Sequence, residues 1–338
     1  MPRPLRPLSG ESRLQSAPGI VVEELTKTYR AGSVRALDRV SIQIRHGETF
    51  GIIGPNGAGK TTLLGCLLGF LSPDAGRVTI DGHAPDDLDV RAVTGYLPER
   101  LVMDRWMTGA DFLRYHHALA KLPAERRDAD VDATLRLVDL DEQAGRREVK
   151  RYSRGMLQRL GLGQALLGTP RYLFLDEPAS GVDPGGVVLI RRILSDLKGR
   201  GVTVVLNSHQ LDQVERVCDR VAFVRQGHVD AVETLQAGAT SAHVLRVRWT
   251  EGAPDATSSE RLGAVARDAG AELRGVNAPE ARFTVSGDVE AARLVRALVG
   301  AGVPIIEVTP EEGRLERLFL DPRAGSGAAP AAPVGGAS

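Results

Sequence analysis

The chain from Ile20 to about Leu235 alternates short apolar runs with amphipathic stretches. The apolar runs are rich in β-branched residues, as buried strands are, and they read TFGII, RVTID, YLFLD, VTVVLN and RVAFV. Helical stretches separate them, a pattern typical of a mostly parallel α/β sheet. Residues 99–150 are mainly helical, with DFLRYHHALA and VDATLRLVDL as examples. We therefore predict a helical subdomain at about 99–165.

A second pattern begins near His243 and predicts a smaller domain. HVLRVRW alternates like a strand, residues 259–269 are helical, ARFTVSG is a strand, residues 288–300 are helical and PIIEVT is a strand. A small α+β domain is therefore expected at 243–320, joined to the main domain (19–236) by a segment of linker composition, LQAGATSA.

The two ends of the chain have the composition of unfolded segments. Residues 1–18 are rich in Pro, Arg and Ser, and residues 321–338 in Ala, Gly and Pro. We expect a flexible leader and a disordered tail. No cleavable signal is predicted, because the N-terminus is broken by prolines and has no apolar core. Nor is a membrane span predicted, since the apolar stretches stay well short of the roughly 18 residues that a spanning helix needs.

Composition narrows the possible functions. The 338 residues include 43 Lys+Arg and 43 Asp+Glu, so a strongly basic nucleic-acid surface is not indicated. With 42% hydrophobic residues the chain can bury a substantial core. The two cysteines, Cys66 and Cys218, lie in apolar surroundings and are expected to be buried thiols rather than a disulfide.

Residues 52–64, IIGPNGAGKTTLL, match the phosphate-loop pattern G-x-x-x-x-G-K-[ST]. Glycines let several backbone N–H groups approach one phosphate, and a helix beginning at Lys60 adds its positive dipole end. Lys60 supplies a charge for the β- and γ-phosphates, Thr61 a hydroxyl for Mg²⁺ and Thr62 a bond to a phosphate oxygen. The predicted nucleotide-binding residues of this loop are Gly54, Pro55, Asn56, Gly57, Ala58, Gly59, Lys60, Thr61 and Thr62. The alternative is an ordinary glycine-rich turn between a strand and a helix.

The segment RYLFLDEP, residues 171–178, ends a predicted buried strand in two adjacent acids. Ligands bind at the carboxyl ends of strands in open α/β sheets. Asp176 is predicted to orient the metal and its waters, and Glu177 to polarise the attacking water. The alternative is a strand that ends in two solvated acids before a proline turn.

Six motifs, in order GPNGAGKTT, GYLPE, YSRGMLQR, YLFLDEP, SGVD and LNSHQLDQVERVCDRV, resemble those of the ATP-binding cassette (ABC) family over residues 20–235. The resemblance implies a subunit whose two copies enclose two ATP molecules. Each ATP is held by the phosphate loop of one copy and the signature segment of the other. The implied cofactors are ATP and Mg²⁺.

The resemblance also assigns residues outside the phosphate loop. Ser153 and Gly155 belong to the signature and would donate to a γ-phosphate across the interface, and Ser153 is equally a helix N-cap. Tyr29 is similar to the aromatic residue that stacks on adenine, or else is plain packing. His209 resembles the switch histidine at the γ-phosphate. Asp183 resembles the loop that crosses the dimer interface, or else caps the helix beginning at Pro184.

Two departures from the usual family pattern stand out. In the signature, Tyr152, Arg154 and Met156 replace the first, third and fifth residues of Leu-Ser-Gly-Gly-Gln. Glu99 stands where the family generally has a glutamine that reaches Mg²⁺, so it is a metal-ligand candidate that brings an added negative charge. Both variants, the C-terminal domain and its ending EEGRLERLFL resemble the branch that serves separate ABC-2 type export permeases.

The expected function follows from this resemblance. We predict an ATPase subunit of a membrane exporter, acting as a homodimer at the cytoplasmic face of the membrane and driving a separate polytopic permease. Residues 99–150 would contact that permease, or simply cover the sheet. The alternative is a soluble ABC-type ATPase acting on ribosomes or DNA, which the single set of motifs, the lack of heptads and the even charge disfavour.

The resemblance allows alternatives for the C-terminal domain and for the direction of transport. The domain at 243–320 could be a regulatory ligand-binding module or a dimerisation module. Direction is set by the permease, so an importer subunit is an alternative. In such an assembly the permease also selects the substrate.

Overall fold

The structure is a computed structural model that describes residues 18–29, 34–235, 243–250 and 257–310. The chain divides into two compact units, Met1–Leu235 and Gln236–Ser338. The predicted tail, the linker from residue 236 onward and the leader lie outside the described residues, except that Pro18 already belongs to the first strand.

The first unit contains two sheets. Its strands are β1 (Pro18–Tyr29), β2 (Val34–Arg45), β3 (Thr49–Ile53), β4 (Ala75–Ile80), β5 (Thr94–Leu97), β6 (Tyr172–Asp176), β7 (Thr203–Asn207), β8 (Arg220–Arg225) and β9 (His228–Thr234). Six of them form the main sheet in the order β5-β6-β7-β3-β8-β9, parallel except for β9. This confirms the predicted α/β fold with a mostly parallel sheet.

The other three strands form an antiparallel sheet, ordered β2-β1-β4. The run RVTID, which the sequence pattern grouped with the parallel strands, lies largely in β4 and therefore belongs to this second sheet. Only Val78 and Ile80 of β4 are buried, so the strand buries one face. A strand covered on one face alternates, whereas a central parallel strand is apolar throughout.

Eight α-helices are described in the first unit. They are α1 (Lys60–Leu67), α2 (Leu88–Ala92), α3 (Gly109–Leu119), α4 (Arg127–Leu137), α5 (Glu142–Arg146), α6 (Arg154–Leu166), α7 (Pro184–Gly199) and α8 (Leu211–Val217). Helices α3 to α6 occupy the stretch predicted as a helical subdomain. They pack on one another around buried side chains such as Leu113, Val131 and Leu160.

Strand order determines where the functional loops lie. Strands β3, β6 and β7 are buried at every position, as expected for central parallel strands. Strand β7 lies between β6 and β3. Because all three run in the same direction, the segments that follow them open at one edge of the sheet.

The second unit is a four-stranded antiparallel sheet with two helices. Its elements are β10 (His243–Trp249), α9 (Ser259–Asp268), β11 (Glu272–Asn277), β12 (Glu280–Val285), α10 (Asp288–Gly300) and β13 (Ile305–Pro310). The strand order β11-β12-β10-β13, with this β-α-β-β-α-β connectivity, is the ferredoxin-like arrangement. Its core is built around Val247, Phe283, Leu294 and Leu298. The expectation of a small α+β fold is confirmed.

Strand β11 is absent from the sequence prediction. Its residues, ELRGVN, place two half-buried apolar side chains, Leu273 and Val276, three positions apart. A register shift between Leu273 and Gly275 accounts for this spacing, because the extra residue interrupts the two-residue period of a strand. The strand also lies at the edge of the sheet, where less apolar surface is buried.

Two further expectations can be compared with the described residues. Cys66 and Cys218 are both buried free thiols, as predicted. Among the helices in the described ranges, none combines the length and apolar character that crossing a membrane requires.

Gly76 provides a test of how closely β4 approaches its neighbour β1 in the three-stranded sheet. Its φ is +78°, and a Cβ there would lie 2.3 Å from the carbonyl oxygen of Glu24. Gly82 has a similar φ of +80°, but no atom lies within 4 Å of the place that a Cβ at Gly82 would take. We expect Gly76→Ala to lower the free energy of unfolding by more than about 2 kcal/mol, and Gly82→Ala by only about 1 kcal/mol. Urea denaturation measures both, and equal effects would contradict the close approach.

Candidate functional site

The loop between β3 and α1 is shaped by close backbone contacts. A Cβ at Gly54 would lie 2.0 Å from the carbonyl oxygen of Val224, and one at Gly59 would lie 2.3 Å from that of Ala36. Gly57 and Gly59 have φ values of +78° and +107°, which favour glycine. The glycines are therefore required by the fold of the loop, which turns directly into α1.

Lys60 is buried at the start of α1, with its ammonium group folded against its own loop. Its Nζ donates to the carbonyl oxygens of Gly54 at 2.7 Å and Pro55 at 3.1 Å. Burial lowers the pKa of Lys60, and the nearby carboxylates of Glu177, Asp176 and Glu99 oppose that shift. A cation and three acids thus share one small region.

The remaining loop residues divide into exposed and buried ones. Pro55, Asn56 and Gly57 are exposed at the crest of the loop, and Ala58 is buried beneath it. On α1, Thr61 is exposed and Thr62 is buried. The Thr62 hydroxyl lies 3.2 Å from the Tyr29 hydroxyl. The predicted aromatic residue therefore reaches this loop from the end of β1, with its side chain partly exposed.

Asp176 is the last residue of β6 and is buried. Its Oδ1 accepts a hydrogen bond from Asn207 Nδ2 at 2.6 Å. Burial raises the pKa of Asp176; the Asn207 bond lowers it, while the charges of Glu99 and Glu177 raise it further. Asn207 was not predicted, although a polar residue at the end of the apolar strand β7 was a usable signal.

Glu177 follows directly, in the left-handed backbone region with a φ of +51°. Its Oε1 lies 2.8 Å from His209 Nδ1 and accepts the His209 backbone N–H at 3.0 Å. The Ser208 hydroxyl lies 3.5 Å from Oε2. The predicted pair of Glu177 and His209 is thus in direct contact at the edge where β6 and β7 end.

The signature segment and the loop before α7 form two neighbouring helix N-termini. The Ser153 hydroxyl accepts from the Met156 N–H at 3.2 Å, and Asp183 Oδ1 accepts from the Gly186 N–H at 3.3 Å. Both residues are therefore helix N-caps, which is the alternative role that the sequence predicted for each of them. A Cβ at Gly155 would lie 3.9 Å from Asp183 Oδ1, which leaves the backbone at this helix start open.

Glu99 is exposed and lies in the segment after β5. It makes no hydrogen bond to the other candidates within the described part of the chain, and its influence is through its charge on Lys60 and Asp176. Three clusters of candidates are in contact, whereas Glu99 is a more distant neighbour. The three clusters are Lys60 with its loop, Glu177 with His209, and Asp176 with Asn207, which was not predicted.

The Asp176–Asn207 bond gives a pH-dependent prediction. Asn207→Ala removes the donor and so raises the pKa of Asp176 further above that of the unfolded chain. An ionised Asp176 then destabilises the fold, and this cost disappears as the pH falls through the raised pKa. We expect a loss of about 1.5–3 kcal/mol at about pH 8. We expect a smaller loss at about pH 4, close to the pKa of about 3.9 of an unperturbed Asp, where an Asp176 with a raised pKa is mostly protonated.

Denaturation at the two pH values measures this difference. Asn277→Ala, an exposed amide of the second unit, is the matched control and should show no pH-dependent loss. An equal loss at both pH values for Asn207→Ala would contradict the role of the bond.

Comparison with known proteins agrees with this geometry. The ABC transporter family matches residues 37–180. An uncharacterised ABC transporter ATP-binding protein of Nostoc sp. is 38% identical over 245 residues, covering 70% of this chain and 73% of the relative. The daunorubicin resistance ATP-binding protein DrrA3 of Streptomyces coeruleorubidus is 34% identical, covering 89% of this chain and 94% of the relative. That alignment therefore extends beyond Leu235 into the second unit.

A solved structure shows the same cassette fold. The ATP-binding cassette MJ0796, dimeric and bound to ADP and Pi after hydrolysis, superimposes with a TM-score of 0.60 at 25% identity. The match covers 64% of this chain and 99% of the cassette. The motifs, the fold and these relatives lead to one conclusion: the chain belongs to the ABC transporter ATP-binding proteins and is an ATPase of that family.

Proposed function

We propose that the protein is the ATPase subunit of an ABC-type exporter, which dimerises around two ATP molecules and drives a separate permease from the cytoplasmic face of the membrane. One observation carries the hydrolytic part. The carboxylate of Glu177 and the imidazole of His209 are 2.8 Å apart, at the sheet edge that also holds the phosphate loop.

ATP binding is assigned to the loop between β3 and α1. The backbone N–H groups from Asn56 to Thr62 surround the phosphates, and Lys60 exchanges its bonds to loop carbonyls for bonds to the β- and γ-phosphates. Such an exchange is favourable because a carbonyl dipole is replaced by a full negative charge. Tyr29 stacks on the adenine, a role supported by its position at the rim of this loop.

Mg²⁺ fits the donors available here. Within the described ranges, no cluster of three or more His, Cys, Asp or Glu residues could hold a metal ion. Mg²⁺ needs no such cage, because it binds through one or two protein oxygens together with phosphate oxygens and waters. The exposed Thr61 hydroxyl and the carboxylate of Asp176 supply those oxygens. Glu99 adds negative charge nearby and is a more remote candidate ligand.

Hydrolysis is assigned to Glu177 as the residue that polarises and deprotonates the attacking water. Its carboxylate is held by the backbone N–H and ring of His209, which fixes its direction. His209, 60% exposed, can turn toward a γ-phosphate while keeping its place beside Glu177. Bound Mg²⁺ would supply charge stabilisation at the phosphates.

The dimer is supported by the signature segment. The N-terminus of α6 is an anion-binding end that serves no phosphate of its own loop in our assignment, and a second copy would bring a γ-phosphate to it. Ser153 and Gly155 would then donate to that phosphate, with Asp183 at the interface. The dimeric state of the cassette MJ0796 supports the formation of a dimer.

The permease contact is assigned to the segment between β5 and α3. Val102 and Trp106 are 96% and 75% exposed, and a partner that covered them would remove their apolar surface from water. Lys150 Nζ lies 4.3 Å from the centroid of the Trp106 ring. Backbone bonds from Val149 to Met107 at 2.9 Å and from Lys150 to Arg105 at 3.0 Å join this segment to the residues that precede the signature.

One observation supports a role in transport, and a second supports export. The relatives carry names of transporter ATP-binding proteins, which favours transport over action on ribosomes or DNA. The likeness to a daunorubicin resistance ATP-binding protein over 89% of the chain supports export. The substrate would be selected by the permease.

Glu177→Gln tests the catalytic assignment. The amide keeps the shape but removes the base, so ATP is bound and not hydrolysed, and a dimer accumulates. We expect ATP turnover to fall at least about 100-fold. Size-exclusion chromatography with light scattering should show a dimer only with ATP. Turnover within twofold of the wild-type rate would contradict the assignment of Glu177.

The matched control for this dimer is Lys60→Ala combined with Glu177→Gln. Without the ammonium group, the phosphate loop loses its charge for the β- and γ-phosphates, so ATP affinity and the dimer should both be lost. Retained ATP affinity in Lys60→Ala would exclude the loop as the nucleotide site.

Trp106→Ser tests the permease contact. In detergent extracts of native membranes, the tagged wild-type chain should copurify with a polytopic membrane protein, identified by mass spectrometry. Trp106→Ser should lose that partner, whereas the dimer formed in the Glu177→Gln background should be unchanged. Val188→Ser, which changes an exposed apolar side chain elsewhere in the first unit, is the control and should retain the partner. Copurification of ribosomal or DNA-repair proteins instead would contradict the transport proposal.

A further inference from the structure

Helix α6 holds the segment that follows β6 at two points. Arg154 Nη2 donates to the Ser180 hydroxyl at 3.0 Å, and Gln158 Nε2 donates to the carbonyl oxygen of Glu177 at 3.4 Å. Residues 154 and 158 are four apart, so both side chains leave the same face of the helix. The helix that begins at the signature therefore contacts the segment 177–183 with two consecutive turns.

Gly181 shows how closely Arg154 follows this segment. A Cβ there would lie 2.1 Å from Arg154 Nε and 2.4 Å from its Cδ. The Arg154 side chain thus lies directly across the Gly181 backbone, whose φ of +70° also favours glycine. The contact combines a hydrogen bond with packing, and both depend on the small residues Ser180 and Gly181.

Hydrogen bonds within the segment link Ser180 to Glu177, so a movement of Ser180 also moves Glu177. The Ser180 N–H donates to the Glu177 carbonyl at 3.0 Å, and the Val182 N–H donates to the Ala179 carbonyl at 3.3 Å. The Glu177 carbonyl therefore accepts from both Ser180 and Gln158. Glu177 has a φ of +51°, a conformation that a non-glycine residue keeps only when its surroundings hold it.

We propose that Arg154 and Gln158 are positioning residues that clamp the segment 177–183 to the signature helix and so set the direction of the Glu177 carboxylate. This inference rests on the proposed function, in which the signature serves the ATP of the other copy and Glu177 the ATP of its own. The clamp then couples the two sites: a shift of α6 against one nucleotide moves the base that acts on the other.

A direct role of Arg154 at a phosphate is the rival explanation of its charge. Ser180 separates the two ideas, because its hydroxyl serves the clamp and is not needed for a contact between Arg154 and phosphate. If Arg154 acts through Ser180, removing either partner breaks the same interaction. The effects of the two changes then fail to add.

The test compares Arg154→Ala, Ser180→Ala and the double variant. We expect each single variant to lower kcat about tenfold, and the double variant to be no more than about twofold worse than the more impaired single variant. The ATP affinity of the isolated chain, measured with a fluorescent ATP analogue, should stay within twofold of wild type. The free energy of unfolding, measured in urea, should match that of wild type. Unchanged kcat in Ser180→Ala, or effects that multiply in the double variant, would overturn the clamp.

Gly181→Ala provides a second, independent variant. Its Cβ would occupy the space of the Arg154 side chain and should reproduce the fall in kcat. Gly201→Ala is the matched control, because its φ is +75° and no atom lies within 4 Å of the added carbon. It should retain wild-type kcat. Equal kcat in Gly181→Ala and Gly201→Ala would count against the clamp.

The outcome for the clamp can be separated from that of the proposed function. If Glu177→Gln abolishes turnover and forms the ATP-dependent dimer while Ser180→Ala is fully active, only the clamp fails. If Glu177→Gln hydrolyses ATP at the wild-type rate, the proposed function fails, and the clamp, which acts through Glu177, fails with it.

Discussion

The whole site depends on three fully buried parallel strands lying side by side. Strands β6, β7 and β3 are adjacent and run in one direction, so the phosphate loop, Asp176 with Glu177, and His209 meet at one sheet edge. These residues come from positions far apart in the chain. Their proximity follows from strand order and from the apolar burial that fixes each strand, since polar residues begin only where the strands end.

Electrostatics at this edge is a balance between one buried cation and several acids. Burial lowers the pKa of Lys60 and raises that of Asp176, and each group's charge opposes the shift of the other. Loop carbonyls and the Asn207 amide satisfy these groups within the fold. The site is thus arranged to accept a highly charged ligand: phosphates would meet Lys60 and helix N–H groups, while a metal ion would meet Asp176.

Much of this could be predicted from the sequence, for identifiable reasons. The phosphate loop, the YLFLDEP strand and the N-caps Ser153 and Asp183 are local patterns, so their residues carry the signal themselves. Asn207, Gln158 and the pairing of Arg154 with Ser180 depend on tertiary contacts between separate segments. Strand β11 was not predicted because a register shift interrupts its alternation. RVTID was assigned to the wrong sheet because a run of five residues does not show whether its strand pairs in the parallel or the antiparallel direction.

In the proposed dimer, the phosphate loop of one copy faces the signature of another across ATP. This arrangement is tested most directly by crosslinking Asn56→Cys to Met156→Cys with a short bismaleimide in the Glu177→Gln background. The native thiols, Cys66 and Cys218, are buried and should not react. We expect a covalent dimer only with ATP and only when both new cysteines are present. An ATP-bound protein that stays monomeric, or a crosslink indifferent to ATP, would contradict this arrangement.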